Sequence, residues 1–298
     1  MDTLEAIAAR IETTADIRAI MRTMKALSAV SIRRYERAAE ATAEYGHTVE
    51  LGLQALLRAR RFAGARLAAS RAPAGRRALI VIGSDRGLCG RFNDRIATFA
   101  RDEFLGEPVA GTSLLCVLGL RAASRLEAMG RRPDRILTLP GSVGGIAATV
   151  QAAILQIDSW STEEGVALVF LAHNRRGERA RAVPMGKQLL PVPESYLREL
   201  AAKPWPARSL PAFSMEPDAL LSWLIRQHLF VVLYRALAES LASEHAARLS
   251  AMQGAERNIE ERSEELASAY RQKRQEAITR ELLDVVAGFR MAVMVPSD

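Results

Sequence analysis

Apolar residues recur every three or four positions at both ends of the chain, which predicts two long amphipathic helices. The N-terminal stripe consists of Leu4, Ile7, Ile11, Ile17, Ile20, Met24, Leu27, Tyr35, Val49 and either Leu53 or Leu56. The C-terminal stripe consists of Leu221, Ile225, Leu229, Val232, Ala236, Leu241, Leu249, Met252, Ile259, Ile278, Leu282, Val285 and Phe289. All prolines except Pro296 lie between Pro73 and Pro217, so neither tract contains the residue that costs about 3 kcal/mol inside a helix.

The middle of the chain follows a different pattern, in which short apolar runs alternate with helical segments. The runs Ala78–Ile82 and Leu114–Leu118 do not alternate with polar residues, which is typical of strands buried on both faces. We expect further strands at Arg135–Leu139 and Val166–Leu171. The predicted intervening helices are Asn93–Leu105, Arg121–Met129 and Ile146–Ile157. This alternation predicts a mostly parallel sheet with covering helices.

Glycines and prolines predict where these elements break. Gly46 and Gly52 weaken the far end of the first helix, so we expect a bend or an end there. Residues 179–190 are predicted to form an extended pair that Pro184–Gly186 interrupts. The prolines from Pro191 to Pro211 indicate an irregular linker.

These elements together predict an α/β protein: a long antiparallel coiled coil of the N- and C-terminal helices plus a central Rossmann-like α/β domain. The predicted boundaries are 1–60 for the N-terminal helix, 73–213 for the central domain and 214–298 for the C-terminal helix. A long amphipathic helix gains most of its stability by packing its apolar face. Pairing the two helices would bury the apolar face of each. The C-terminal helix is the longer, so its end should extend beyond its partner. The alternative is a compact helical domain folded back by turns.

Charge distribution limits the classes of partner. The chain has 298 residues and a formal net charge of +7, and most of the basic excess lies in its middle region. A basic region can bind nucleic acid, anionic lipid or an acidic protein. Here the basic residues are dispersed and lack the interleaved aromatic residues on which bases stack, so we expect no nucleic-acid partner.

The remaining residue types do not indicate a metal or a cofactor. Cys89 and Cys116 are predicted to be free thiols, because the N-terminus does not have the pattern of an export signal. The four histidines are scattered and do not form a ligand set: His47, His173, His228 and His245. The longest uninterrupted apolar run, around Val166–Ala172, is far shorter than a membrane span.

Three segments carry a resemblance to a known family. The first is Ile20–Ala29 with the following pair Arg33 and Arg34, and the second is Ser84–Gly90, which reads Ser-Asp-Arg-Gly-Leu-Cys-Gly. The third begins at Ala242–Met252 and continues in the segment Arg274–Leu282. In order and spacing these segments resemble the γ subunit of F-type ATP synthases, the central rotor shaft.

The resemblance implies a rotor that has no catalytic residues, metal or cofactor of its own. It would couple ion flow, ordinarily of H⁺, through the membrane ring to ATP synthesis or hydrolysis on the β subunits. The implied partners are the F1 α and β subunits, an ε-type subunit and the c-ring. The implied location is the cytoplasmic face of the bacterial inner membrane, peripheral to the membrane and attached through the complex.

The resemblance also assigns contact residues. Arg274, Gln275 and Thr279 would contact a catch loop on β, and Met24, Arg33 and Arg34 would lie on the shaft. Considered without the family, Arg274 and Gln275 fit a solvated helix face, and Met24 fits the core of a coiled coil.

The second segment leaves an enzyme alternative open. A glycine-bearing loop after a strand can bind phosphate through its amides, and a Rossmann-like nucleotide-binding enzyme with coiled-coil arms would use this one. The loop lacks the Lys-Ser/Thr of a P-loop and the dinucleotide fingerprint, so a structural turn of the central domain is the preferred interpretation. Its residues are Ser84, Asp85, Arg86, Gly87, Cys89 and Gly90. A third alternative is a coiled-coil tether with no rotary partner.

Several positions depart from the family's pattern. Arg91 stands where the family usually has a second glycine, Lys25 where it often has an acidic residue, and Ser31 where it often has lysine. The bulky and charged Phe289 and Arg290 follow Gly288, where the family commonly has small residues. These departures raise the hypothesis of an alternate F-type ATPase coupled to Na⁺.

Overall fold

The computed structural model describes residues 3–62, 75–105, 113–178, 181–209 and 211–293. The side chains of Phe289 and Arg290, and the whole of Pro296, lie outside the described residues. The chain divides into two compact units: the first comprises Met1–Leu27 and Ala251–Asp298, and the second comprises Ser28–Ser250. The three-part division at 1–60, 73–213 and 214–298 stays a prediction.

The second unit is built on a five-stranded sheet with the neighbour order β3-β2-β1-β4-β5. Its strands are β1 (Arg76–Ile82), β2 (Ser113–Leu118), β3 (Arg135–Leu137), β4 (Val166–Arg176) and β5 (Ala182–Leu190). The first four strands run parallel, and β5 pairs antiparallel with β4. The predicted fold class is therefore confirmed: buried apolar runs form the parallel strands, as expected where both faces of a sheet are covered.

Helices cover both faces of this sheet. The helices in the described residues are α1 (Leu4–Phe62), α2 (Phe92–Ala100), α3 (Leu120–Ala128), α4 (Ile146–Glu163), α5 (Glu194–Ala202) and α6 (Pro217–Val293). A short π-helical turn follows α2 at Arg101–Leu105, and a 3-10 turn precedes α4 at Val143–Gly145. One face packs on α2 and α3 through residues such as Ile96 and Leu126. The opposite face packs on α4 and α6, with Ile154 and Leu237 in the same core and Tyr35 added from α1.

Two predictions for the region after β4 are wrong. Residues 182–190 form one strand, and Pro184–Gly186 pair with β4 without an interruption. Proline is tolerated there because β5 is an edge strand, so a missing N–H leaves no neighbouring strand unpaired. The segment predicted as an irregular linker also contains α5, which begins directly after Pro193.

The glycines of α1 do not break it. The helix continues through Gly46 and Gly52 to Phe62. A Cβ added at Gly46 would lie 3.0 Å from Val231, and one added at Gly52 would lie 2.9 Å from Leu224, both on α6. These glycines therefore permit a close approach of two helices, which offsets their low helix propensity.

One described helix, α6, contains a stretch that is long and apolar enough to cross a membrane, judged by length and composition alone, and 28% of that stretch is buried. The sequence analysis found no membrane-length segment because it considered only uninterrupted apolar runs. The stretch in α6 is apolar on average but contains an occasional charged residue. Leu224, Leu229 and Leu233 of α6 pack into the cores of the second unit, as in a core helix.

Candidate interaction surfaces

In the first unit, α1 and α6 form an antiparallel pair that ion pairs connect. Arg18 pairs with Glu260, and Lys25 pairs with Glu256. The later residue of α1 pairs with the earlier residue of α6, so the two helices run in opposite directions. Arg22 lies on the edge of the same contact, with its Nε 3.9 Å from Glu256 Oε1.

The buried side of α1 in this unit matches the predicted stripe in part, because Leu4, Ile11 and Met24 are half-buried. Ile7 and Met21 are buried, and half-buried positions between them include Thr14 and Arg18. Ile17, Ile20 and Leu27, all assigned to the stripe from the sequence, are 43%, 60% and 62% exposed. The prediction followed the large apolar residues, whereas the contact with α6 uses positions spaced by seven residues that include polar side chains.

The contact of this helix pair therefore contains both ion pairs and buried apolar side chains, and further apolar side chains lie outside it. Isolated exposed apolar residues are common, but Ile17, Ile20 and Leu27 recur at helical spacing on one helix. A repeated apolar row on the exposed side indicates an interaction surface for another protein.

The C-terminal end of α6 presents a second apolar surface. Counting residue for residue from the Arg18–Glu260 pair brings Leu4 opposite Arg274, so α6 continues past the start of α1. Beyond that point the exposed apolar residues are Ile278, Leu282, Leu283, Val285 and Val286. Their exposure follows from the length of α6, since α1 does not reach them.

The contact residues implied by the resemblance are exposed except for Met24. Arg274, Gln275 and Thr279 are exposed, and the Thr279 hydroxyl donates to the Gln275 carbonyl at 2.8 Å. Met24 is half-buried in the first unit. In the second unit, Arg33 and Arg34 are exposed on α1. Their roles stay predictions.

The Ser84–Gly90 loop follows β1 and is closed by its own hydrogen bonds. The main-chain N–H of buried Ser84 donates to Asn93 Oδ1 at 3.0 Å, and Asn93 Nδ2 donates back to Ser84 Oγ at 2.8 Å. Ser84 Oγ donates in turn to the Arg86 carbonyl at 2.8 Å. Burial raises the pKa of the Cys89 thiol above its ordinary value, so this cysteine is not an activated nucleophile.

Asp85 of this loop accepts hydrogen bonds from main-chain amides that follow the two neighbouring strands, β2 and β3. Its Oδ1 accepts a hydrogen bond from the Leu120 N–H at 3.0 Å, and its Oδ2 accepts one from the Leu139 N–H at 2.8 Å. The backbone of Gly119, at φ +117°, approaches so closely that an added Cβ would lie 2.7 Å from Ser84 N. Amides at the carboxyl ends of the strands, the usual ligand position in such sheets, thus bind the chain's own carboxylate.

The second and third sequence motifs meet in this unit. Arg248 Nη2 donates to the Gly87 carbonyl at 3.3 Å and also pairs with Glu244. Burial raises the pKa of Glu244 and Arg248 opposes that shift, whereas burial followed by the Arg248 charge lowers the pKa of His245 to about 4. The His245 ring stacks on Tyr35 with centroids 5.6 Å apart. Sequence analysis missed this meeting because the motifs lie far apart along the chain.

Comparison with known proteins identifies the family. The family model described as ATP synthase matches residues 3–291. The gamma chain of Geotalea uraniireducens ATP synthase is 31% identical over 295 residues, covering 97% of this chain and 98% of the relative. The gamma chain from Granulibacter bethesdensis is also 31% identical, with 97% and 99% covered. The chain belongs to the ATP synthase gamma chain family.

Solved structures agree with the fold of this gamma chain. The rotor of the Euglena gracilis mitochondrial ATP synthase superposes with a TM-score of 0.66 at 14% identity, covering 92% of this chain and 98% of that one. The central stalk of the Tetrahymena thermophila mitochondrial ATP synthase gives 0.57 at 21% identity, with 79% and 99% covered. The resemblance to the γ subunit of F-type ATP synthases, predicted from the sequence, is confirmed. Within the described residues, no group of His, Cys, Asp or Glu could hold a metal ion.

Proposed function

We propose that this chain is the central-stalk rotor of an F1Fo ATP synthase or ATPase. It would couple ion flow through a membrane ring to ATP synthesis or hydrolysis on β subunits. The observation that carries the proposal is the arrangement of the first unit. Arg18 and Lys25 form ion pairs at the helix contact, while Ile20 and Leu27 are exposed.

This arrangement suits a shaft enclosed by other subunits. Ion pairs at a helix contact contribute little net stability, whereas apolar area removed from water contributes roughly 25 cal/mol per Å². The apolar area of Ile20 and Leu27 is buried only when a surrounding protein covers it. A sleeve of alternating α and β subunits supplies such a covering and leaves the shaft free to turn against it.

The mechanism assigned to the chain is mechanical. Its surface differs from side to side, so each catalytic β site would meet a different face at a given shaft angle. Differential contacts of this kind bias the conformational populations of the three sites. Arg274, Gln275 and Thr279 would contact the β catch loop, and Met24, Arg33 and Arg34 would contribute to the shaft surface. An ε-type subunit and the c-ring would bind the second unit, at the cytoplasmic face of a bacterial inner membrane.

The enzyme alternative is disfavoured by the Ser84–Gly90 loop. Asp85 accepts hydrogen bonds from the Leu120 and Leu139 amides at the carboxyl ends of the neighbouring strands, and its negative charge would repel an anionic ligand bound at this edge of the sheet. The loop with its residues Ser84, Asp85, Arg86, Gly87, Cys89 and Gly90 is assigned a structural role. Calorimetry of the chain with ATP or NAD should give no binding heat at this loop.

Co-purification tests the rotor function. When this chain is co-expressed with the α and β subunits of an F-type ATP synthase from the same organism, we expect a stable complex that hydrolyses ATP. Failure to co-purify with β under every nucleotide condition would overturn the proposal. Deleting residues 278–298 distinguishes a rotor from a coiled-coil tether. If the chain is a rotor, the complex should keep ATP hydrolysis but lose part of its coupling to ion transport. If the chain is a tether, the deletion should have no effect. Measuring whether this transport depends on H⁺ or on Na⁺ tests the hypothesis that the complex is coupled to Na⁺.

A further inference from the structure

The second unit contains a cavity that the rotor function does not use. Its volume is about 440 Å³, and it lies between α1, α6 and the strands β4 and β5. Cavities that bind small molecules measure roughly 300–1,000 Å³, so this volume admits a small organic ligand. The cavity is separate from the Ser84–Gly90 loop, which contributes no lining residue to it.

The walls combine apolar and cationic side chains. Val49, Leu171 and Val232 form apolar wall, while Arg175 and Lys187 contribute cations from β4 and β5. Lys187 pairs in register with Leu171, and Arg175 lies four residues further along β4. Side chains of paired residues share a face of the sheet, as do residues an even number apart, so both cations lie on the sheet face that bounds the cavity.

The carboxylates that line the cavity are already bonded. Glu50 accepts a hydrogen bond from the Tyr196 hydroxyl at 3.0 Å and lies 3.5 Å from Lys203 Nζ. Glu239 accepts one from Arg235 Nε at 2.9 Å and lies 3.4 Å from His173 Nε2. Neither carboxylate is therefore a dedicated counter-ion for the two strand cations.

Among the described residues, the side chains of Arg175 and Lys187 have no hydrogen-bond or ion-pair partner, and the neighbouring Arg176 is the residue that pairs with Glu36. Burial and then the Arg235 charge lower the pKa of Lys187, and burial and then the Lys187 charge lower the pKa of His228. The cavity thus gathers positive groups that repel one another, although Glu50 partly offsets this. A bound anion would relieve that repulsion.

We propose that this cavity binds a small organic polyanion, of the carboxylate or phosphate class. Lys187 and Arg175 bind its acidic groups, His173 lies between them along β4, and the wall formed by Val49 and Val232 packs against its carbon skeleton. The site goes beyond the rotor function, and its test does not require assembly with α or β subunits.

Titration calorimetry of the full chain tests this site, with citrate as the carboxylate probe and glycerol 3-phosphate as the phosphate probe. We expect at least one probe to bind at one molecule per chain. Lys187→Gln and Arg175→Gln should each weaken that binding roughly tenfold or more, since a hydrogen bond to a charged group contributes about 1.5–3 kcal/mol. The probe that binds more tightly identifies the class of anion.

Two control variants distinguish binding in the cavity from a general effect of charge. Arg132→Gln removes the same charge from an exposed residue outside the cavity and should leave binding unchanged. Ala43→Phe adds volume at the cavity wall without changing charge and should abolish binding. Equal weakening by Arg132→Gln, full binding by Ala43→Phe, or no saturable heat with either probe would overturn the proposal.

Discussion

Arg248 on α6 donates a hydrogen bond to the Gly87 carbonyl while the same guanidinium pairs with Glu244, and this pair is nearly closed to solvent, with side-chain exposures of 6% and 8%. A residue of the third sequence motif thereby holds the turn formed by the second. Two of the family segments that lie far apart in the sequence, Ser84–Gly90 and Ala242–Met252, are thus joined in this unit by one buried polar contact.

The first prediction concerns this pair. Arg248→Met should lower the free energy of unfolding by about 3 kcal/mol or more, because it leaves the Glu244 carboxylate buried without a counter-ion. Urea denaturation of the full chain measures it. The matched control is Arg262→Met, which breaks an exposed pair with Glu265 on the same helix and should cost under about 1 kcal/mol. If both variants cost the same, burial does not determine the contribution of the Arg248 pair.

The second prediction is a pH dependence that originates at His245. Its folded pKa of about 4 lies below the ordinary 6.5, so the unfolded chain takes up the proton first as the pH falls. Stability from this group is therefore complete above pH 6.5 and is lost between pH 6.5 and 4. The loss is on the order of 3 kcal/mol at 1.36 kcal/mol for each pKa unit.

His245→Phe tests this dependence, because it retains an aromatic ring against Tyr35 but cannot titrate. Denaturation curves at pH 7 and pH 4.5 should show a smaller acid loss for this variant than for the natural chain. His47→Gln, at an exposed position on α1, should keep the full acid loss. An unchanged acid loss in His245→Phe would assign the pH dependence to other groups.

The third prediction concerns the close approach at Gly119. Gly119→Ala should lower the melting temperature markedly, with a cost of about 2 kcal/mol or more, because φ is +117° and the new Cβ would lie 2.7 Å from Ser84 N. Gly254→Ala is the matched control, since its Cβ would meet nothing within 4 Å and alanine is favoured by about 1 kcal/mol in a helix. A melting temperature that Gly119→Ala leaves unchanged would contradict the tight packing of this turn.

The sheet and the extents of the long helices follow from local signals, whereas the helix contact follows from them only in part. Buried runs such as Ala78–Ile82 specify parallel strands, and the absence of proline allows α1 to continue to Phe62. Hydrophobicity identifies only part of the contact in the first unit, because Arg18 and Lys25 enter it through ion pairs while Ile20 stays outside. The seven-residue spacing of Ile7, Thr14 and Met21 was the available signal.

Two other features needed three-dimensional information or a subtler signal. Helix α5 was hidden among prolines, yet Pro193 directly before an acidic first turn at Glu194 is a helix-start pattern. The contact between Gly87 and Arg248 joins residues 161 positions apart, and no local pattern encodes such a distance.

The fourth prediction contrasts two adjacent residues of α1. Ile20 is 60% exposed and Met21 is 5% exposed, so the rotor function gives them opposite roles. Ile20→Gln should change the unfolding free energy of the isolated chain by no more than about 0.5 kcal/mol, as is usual for surface substitutions. In a complex with α and β subunits it should weaken assembly or ATP hydrolysis, because a polar amide replaces an apolar contact with the sleeve. Met21→Gln should instead destabilise the isolated chain, since it places an amide in the helix contact. Urea denaturation of each variant, together with ATPase assays of the reconstituted complex, separates the two effects. If Ile20→Gln destabilises the chain alone and leaves the complex fully active, the exposed apolar row is not the surface on which the surrounding subunits bear.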